Sequence, residues 1–258
     1  MDLHLKNLTF CVGGATSGLG LAVTEQLLAE GARVVGVARG REKLEALAEE
    51  AGTRFVPYAA DLTDPAAVKR LGEYLRKQDL TGCVFNAGGP PTGRIDEFSM
   101  EDWDTAYAGT LRWKIQLTNA LLPSLRANKY GRLLYIESVS IKQPIDNLVL
   151  SNVLRAGVAG FVKTLSREIG EDGITANILA PGYHATPRIN TVLEKSAKMK
   201  GVSPEAMQAD FTAETSMKQL GDPADFAAMA VFLLSPQGRY ITGQTVTVDG
   251  GLVRHLTG

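Results

Sequence analysis

The stretch Phe10-Cys11-Val12-Gly13-Gly14-Ala15-Thr16-Ser17-Gly18-Leu19-Gly20 decides the fold. Its apolar run breaks into a glycine-rich turn and leads straight into a helical pattern from Leu19 to Glu30, so it reads as strand, turn and helix. Glycine at 14, 18 and 20 lets the backbone turn tightly, approach a ligand, and pack the new helix against the strand. Unpaired N–H groups at the helix start, at the positive end of its dipole, suit a phosphate. A plain strand-to-helix turn uses the same residues, so the segments that follow must discriminate.

Gly31 stops the helix and Ala32 to Ala38 reads as a second buried strand. A dinucleotide fold that prefers NAD carries Asp or Glu at such a strand end, about 20 residues past the glycines. Here the end reads Ala38-Arg39-Gly40-Arg41. Two guanidiniums and no carboxylate favour the 2′-phosphate of NADP(H) over NAD(H), although both arginines also suit a solvated helix start. Glu42 to Glu50 has helical spacing and Arg54 to Tyr58 reads as a third strand, followed by Asp61-Leu62. Asp64-Pro65 opens a helix to about Gln78, and Gly82 to Phe85 is a fourth strand ending in Asn86-Ala87-Gly88-Gly89. This alternation predicts an α/β, doubly wound parallel sheet of about seven strands, Rossmann-like, with helices on both faces. Ligands in such sheets bind beyond the carboxyl ends of the strands.

Farther on, Ser99-Met100-Glu101-Asp102 reads as a capping box for a long helix to about Asn128, with Pro123 bending its last turns. Gly131 to Ser138 is a fifth strand and Asn147 to Gly170 another long helix. Arg188 to Ser216 reads as two short helices inserted to cover a substrate and exclude water, or as a packed surface excursion. Its methionines Met199, Met207 and Met217 suit an apolar pocket or plain gap-filling. Asp222-Pro223 opens a last helix, and Gln244 to Val248 is a final strand.

The 258 residues are 45% apolar and 21% charged, enough for a substantial core, and residues 1-258 are expected to form one domain. A net charge of -1 gives no electrostatic reason for nucleic acid or an anionic membrane as partner. The start, Met1-Asp2-Leu3-His4-Leu5-Lys6, has neither a basic nor an apolar leader region, and no apolar run approaches the roughly 20 residues of a membrane helix. A cytoplasmic protein is expected. Cys11 and Cys83 fall in buried strands and are read as reduced thiols. His4, His184 and His255 are scattered without metal-ligand spacing, so no metal is expected.

These residues together resemble the short-chain dehydrogenases/reductases. The match is Gly14-x-x-x-Gly18-x-Gly20, Asp61-Leu62, Asn86-Ala87-Gly88, Pro181-Gly182 with Thr186-Pro187, and Ile241-Thr242-Gly243-Gln244 with Val248-Asp249-Gly250-Gly251. The resemblance implies that Gly14, Thr16, Ser17, Gly18, Leu19 and Gly20 hold the cofactor pyrophosphate. It implies Asp61 and Leu62 at the adenine, while Arg39, from the strand-end reading above, would stand beside the 2′-phosphate. Asn86, Ala87 and Gly88 would lie on the adenosine side of the cleft, and Pro181, Gly182 and Thr186 at the nicotinamide. It also implies a homotetramer or dimer, paired across two-fold axes. One departure is Gly13, where the family usually has threonine.

A second departure lies where the chemistry belongs. Family members use an Asn on the long helix, a Ser ending the fifth strand, and a Tyr-x-x-x-Lys pair thirteen residues after the Ser. Alignment places Thr110 at the Asn, Ser138 at the Ser, Ser151 at the Tyr and Arg155 at the Lys. A tyrosine of pKa about 10, lowered by lysine, can protonate an alkoxide, whereas a serine can only polarise a carbonyl. Arg155 can supply a fixed positive charge and a donor to a ribose hydroxyl but cannot shuttle protons. Three accounts remain open. The chain is an oxidoreductase acting on a carbonyl or alcohol whose proton donor has moved, with Lys142, Tyr183 or His184 as candidates. Otherwise it is a nucleotide-binding sensor or partner-binding module without hydride transfer, or a lyase or isomerase using Ser138 and Ser151 as an oxyanion site.

Overall fold

In a computed structural model that describes residues 2–256, the chain runs β1 (Thr9–Gly13), α1 (Gly18–Ala29), β2 (Arg33–Ala38), α2 (Arg41–Ala51), β3 (Phe55–Ala59), α3 (Pro65–Leu75) and β4 (Gly82–Phe85). It continues through α4 (Met100–Tyr107), α5 (Trp113–Asn128), β5 (Gly131–Ile136), α6 (Val149–Glu168) and β6 (Ile174–Pro181). It closes with α7 (Pro187–Lys200), α8 (Pro204–Glu214), α9 (Pro223–Leu234) and β7 (Thr245–Val248). The seven strands form one parallel sheet in the order β3-β2-β1-β4-β5-β6-β7. Strand order reverses between β1 and β4, and that switch opens a crevice at the carboxyl ends.

Period-two alternation sorts the strand side chains onto two faces. Cys11, Val35, Cys83, Phe85, Leu133 and Ile178 meet Leu71 of α3, Trp113 and Leu117 of α5, and Val158 and Val162 of α6. Phe10, Val12, Val34, Val84, Leu134 and Leu179 meet Val23 and Leu27 of α1 and Phe226 and Ala230 of α9. Each fully buried Leu, Val or Phe here contributes roughly 1.5–3 kcal/mol relative to exposure. Cys11 and Cys83 are register partners on adjacent strands, and both are free and buried. Among the described residues no helix is long and apolar enough to cross a membrane.

Several boundaries differ from the sequence reading, each for a local reason. The helix expected from Asn147 begins at Val149, because Asn147 adopts a left-handed φ of 58°. The long helix expected between Ser99 and Asn128 is interrupted by a π-helical turn over Ala108–Arg112, while Pro123 lies inside α5. The expected capping box is present: Ser99 Oγ accepts from Asp102 N–H at 3.2 Å and Asp102 Oδ2 accepts from Ser99 N–H at 2.8 Å. The fifth strand stops at Ile136, and Ser138 instead caps a short turn over Val139–Ile141. Strand β6 lies outside the segments that the sequence pattern marks as strands. Its central Asn177 is buried, where its side chain donates to Ile241 O at 2.7 Å and accepts from Gln244 N–H at 3.0 Å.

Candidate active site

The β1–α1 turn is built without room for side chains. Gly14 and Gly18 have φ of 62° and 54°, and a Cβ on Gly20 would run into the Gly14 carbonyl oxygen. Ser17 precedes α1 without a side-chain cap, and no acidic residue lies in the first turn. The N–H groups there are left for an external acceptor such as a phosphate. Asn86 Nδ2 donates to Gly13 O at 3.0 Å and so ties the ends of β1 and β4 together. This contact explains the glycine at 13: a Cβ there would collide with the Asn86 carbonyl oxygen. Gly13→Thr, which installs the residue common in the resembled family, is expected to cost about 1–3 kcal/mol through overpacking. A thermal melt at or above that of the unmodified chain would contradict it.

The other segments expected at a cofactor cleft lie along the same edge of the sheet. Arg39 follows β2, Asp61 and Leu62 follow β3, Ala87 and Gly88 follow β4, and Pro181 ends β6. Asp61 accepts from the Thr63 N–H and hydroxyl at 2.9 and 2.8 Å, and these bonds, with a smaller push from Arg39, hold its carboxyl below the usual range. Gly182 follows β6, and Thr186 caps α7 by accepting from Ile189 N–H at 3.4 Å. Its Cβ lies 3.5 Å from where a Gly18 Cβ would stand, so the glycine turn and the loop after β6 face each other. Thr16, Ser17 and Leu19 complete the turn. A phosphate-bearing nucleotide fits this cradle.

Beyond it, tertiary packing assembles a charged set that the sequence did not disclose. Ser151 Oγ accepts from Arg155 Nε at 2.9 Å, and Arg155 Nη1 donates to Glu137 Oε2 at 2.9 Å. The second oxygen of Glu137 pairs with Lys114 Nζ, and the Glu137 and Lys114 side chains are 0% and 3% exposed. Burial pulls the Lys114 ammonium below its usual range, opposed by Glu137 and reinforced by Arg155. Ser138 Oγ accepts from Ser140 N–H at 3.1 Å, and the Ser140 hydroxyl is buried without a hydrogen-bond partner among the described residues. Thr110 is buried within the π-helical turn, a feature found disproportionately at functional sites. A charge beside the apolar run Leu133–Ile136, and a lysine on the apolar stripe with Trp113 and Leu117, were the available sequence signals for Glu137 and Lys114.

The alternative proton donors each have surroundings of their own. Lys142 lines a groove of about 460 Å³ with Ala159, Lys163, Gly243 and His255. Tyr183 donates to Glu214 Oε2 at 3.2 Å and stacks on Phe211, and burial with the Glu214 charge pushes its hydroxyl above the usual range. His184 is buried edge-on to Phe226, and burial lowers its pKa. Met207 is buried between α7 and α8, whereas Met199 and Met217 are exposed, so the three do not form one pocket wall.

Residues 14–253 match the family model described as enoyl-(acyl carrier protein) reductase. The chain is 30% identical to the 3-oxoacyl-[acyl-carrier-protein] reductase FabG of Haemophilus influenzae, over 93% of this chain and 96% of the relative. It is 33% identical to nodulation protein G of Rhizobium sp. (strain N33), over 93% and 95%. Among solved structures, L-sorbose reductase from Gluconobacter frateurii, complexed with NADPH and L-sorbose, superposes with a TM-score of 0.92 at 29% identity, covering 99% of this chain and 100% of that one. With a family model spanning nearly the whole chain and a relative 30% identical over 93% of it, the chain belongs to the short-chain dehydrogenase/reductase family.

Proposed function

We propose that the protein is an NADP(H)-dependent oxidoreductase that interconverts a carbonyl and an alcohol with an altered proton donor. The observation that carries the reading is Ser151 Oγ accepting from Arg155 Nε while Glu137 holds the same guanidinium. Because the Ser151 oxygen accepts, its own hydrogen is free to point at a substrate oxygen. Ser138 accepts from a backbone N–H and is free to donate in the same way. Arg39 and Arg41 after β2, with no carboxylate at the strand end, support the phosphorylated nucleotide. So does the likeness to a reductase solved with NADPH.

When bound, the nicotinamide gives or takes a hydride. In the reducing direction, Ser138 and Ser151 donate hydrogen bonds to the carbonyl oxygen, and the Arg155 charge stabilises the alkoxide that forms. A serine is too weak an acid to be the net proton source, so Ser151 passes its proton to the alkoxide while taking one from a water in exchange with bulk solvent, which supplies the net proton. Buried His184 and the engaged Tyr183 stay outside this path. Lys142, set in its groove along α6, takes no part, and Lys142→Ala is expected to keep full turnover; a loss of kcat would return lysine to the mechanism.

The same reading makes residues 1-258 one cytoplasmic dinucleotide-binding domain, assembled as a dimer or tetramer. Its excursion at about 188-216 then covers the substrate. Arg188 and Lys195 of α7, bonded to Pro90 O at 3.2 Å and Thr92 O at 2.9 Å, support that cover by tying α7 across the cleft mouth. Purified protein is expected to oxidise NADPH with at least one of a panel of aldehydes, ketones and 3-oxoacyl thioesters. Tight NADPH binding with total inactivity would instead favour a nucleotide-binding module.

A further inference from the structure

Arg155 and Arg188 approach one another across the glycine that follows β4. Arg155 Nη2 lies 3.1 Å, and Arg188 Nη2 3.7 Å, from the point a Cβ on Gly89 would occupy. Arg155 spends Nε on Ser151 and Nη1 on Glu137, leaving Nη2 without a partner among the described residues. Arg188 donates to the carbonyl of Pro90 at 3.2 Å, and among the described residues no carboxylate pairs with it. The single Glu137 carboxylate lies between Lys114 and Arg155, so it cannot also neutralise Arg188. Two guanidiniums therefore converge with an excess of positive charge, at a spot cleared by the missing side chain of Gly89. Burial and the charge of Arg155 both work against the Arg188 cation, which is the situation an incoming anion relieves.

We infer that Arg155 and Arg188 form a carboxylate-binding subsite, and that the substrate is a small oxo acid or hydroxy acid. This rests on the oxidoreductase reading for the reaction, though not for the binding. A carboxylate suits the position because two oxygens can take parallel N–H bonds from planar guanidinium groups. Arg155 also sets its distance from the reacting carbon. One edge of this rigid guanidinium holds Ser151, the donor to the carbonyl oxygen, and another faces the subsite. The carboxylate is thus attached one or two carbons from the carbonyl, as in a 2-oxo or 3-oxo acid. An acyl thioester or a sugar offers no charge there.

The test is calorimetry on the protein loaded with NADPH, which with a hydroxy acid gives a redox-inert complex. The probes are 2-hydroxybutanoate and 3-hydroxybutanoate, each enantiomer against its methyl ester. At least one acid is expected to bind about tenfold or more tightly than its ester, as expected for charge-assisted hydrogen bonds. Arg188→Ala should bring that ratio to parity without changing NADPH affinity, and Arg188→Lys should restore part of it. Acids binding no better than esters, neither binding at millimolar concentration, or a preference that survives Arg188→Ala would each overturn the inference. So would Arg188→Ala weakening NADPH while sparing the preference, since the pair would then serve the cofactor phosphates. Arg188-dependent acid binding without any NADPH oxidation would keep the subsite and remove the oxidoreductase reading. Turnover of neutral ketones without acid preference would do the reverse.

Discussion

Glu137→Leu is expected to lower the melting temperature by roughly 10 °C. The carboxylate is fully buried and holds Lys114 on one oxygen and Arg155 on the other. Removing it strands two cations, one of them 3% exposed, where water cannot replace the lost partner. Breaking a buried ion pair from one side costs about 3–5 kcal/mol, and in a chain of this size each kcal/mol moves the melt by about 2–4 °C. Lys114→Met provides the control. It removes one cation but leaves Glu137 and Arg155 matched one to one, while methionine fills much of the vacated space, so its loss should be clearly smaller. Melting curves of both variants, recorded without nucleotide, check the argument. Equal losses, or a Glu137→Leu variant that melts with the unmodified chain, would show that the charge balance is not what matters.

Ser151→Ala is expected to reduce kcat by about 10²–10³-fold, the loss seen when one oxyanion donor is removed from a preorganised site. The effect should fall on turnover, because among the described residues the Ser151 hydroxyl is bonded to Arg155 and not to the turn at Gly14 to Gly20 or the loop at Pro181 to Thr186. NADPH affinity should be unchanged. The side chain that remains is smaller and Arg155 keeps its bond to Glu137, so folding should survive and a melt can confirm it. Turnover retained within about twofold would mean that no oxyanion donor is supplied at this position, leaving Ser138 and the unpartnered hydroxyl of Ser140 as the donors to examine.

The architecture was legible in local patterns. Glycine at 14, 18 and 20, the apolar runs of β1, β2 and β4, and the caps at Asp64, Ser99 and Asp222 each act within a few residues. Their consequences can therefore be read along the chain. The same locality failed at β6, where Asn177 interrupts an apolar run and its hydrogen-bond partners come from residues 241–244. It failed again at Ala108–Arg112, where helical periodicity gave no sign of the π turn.

By itself the sequence determined the class of sheet, the glycine-rich turn before α1, and the positions of Ser138, Ser151 and Arg155. Tertiary structure alone decided that Glu137 sits between Lys114 and Arg155, that Arg155 and Arg188 meet over Gly89, and that Tyr183 and His184 are engaged elsewhere. The physical reason is that propensity, capping and turn chemistry act between chain neighbours. The strength and partner of a charge depend instead on burial, and burial exists only once α5, β5, α6 and α7 have packed together.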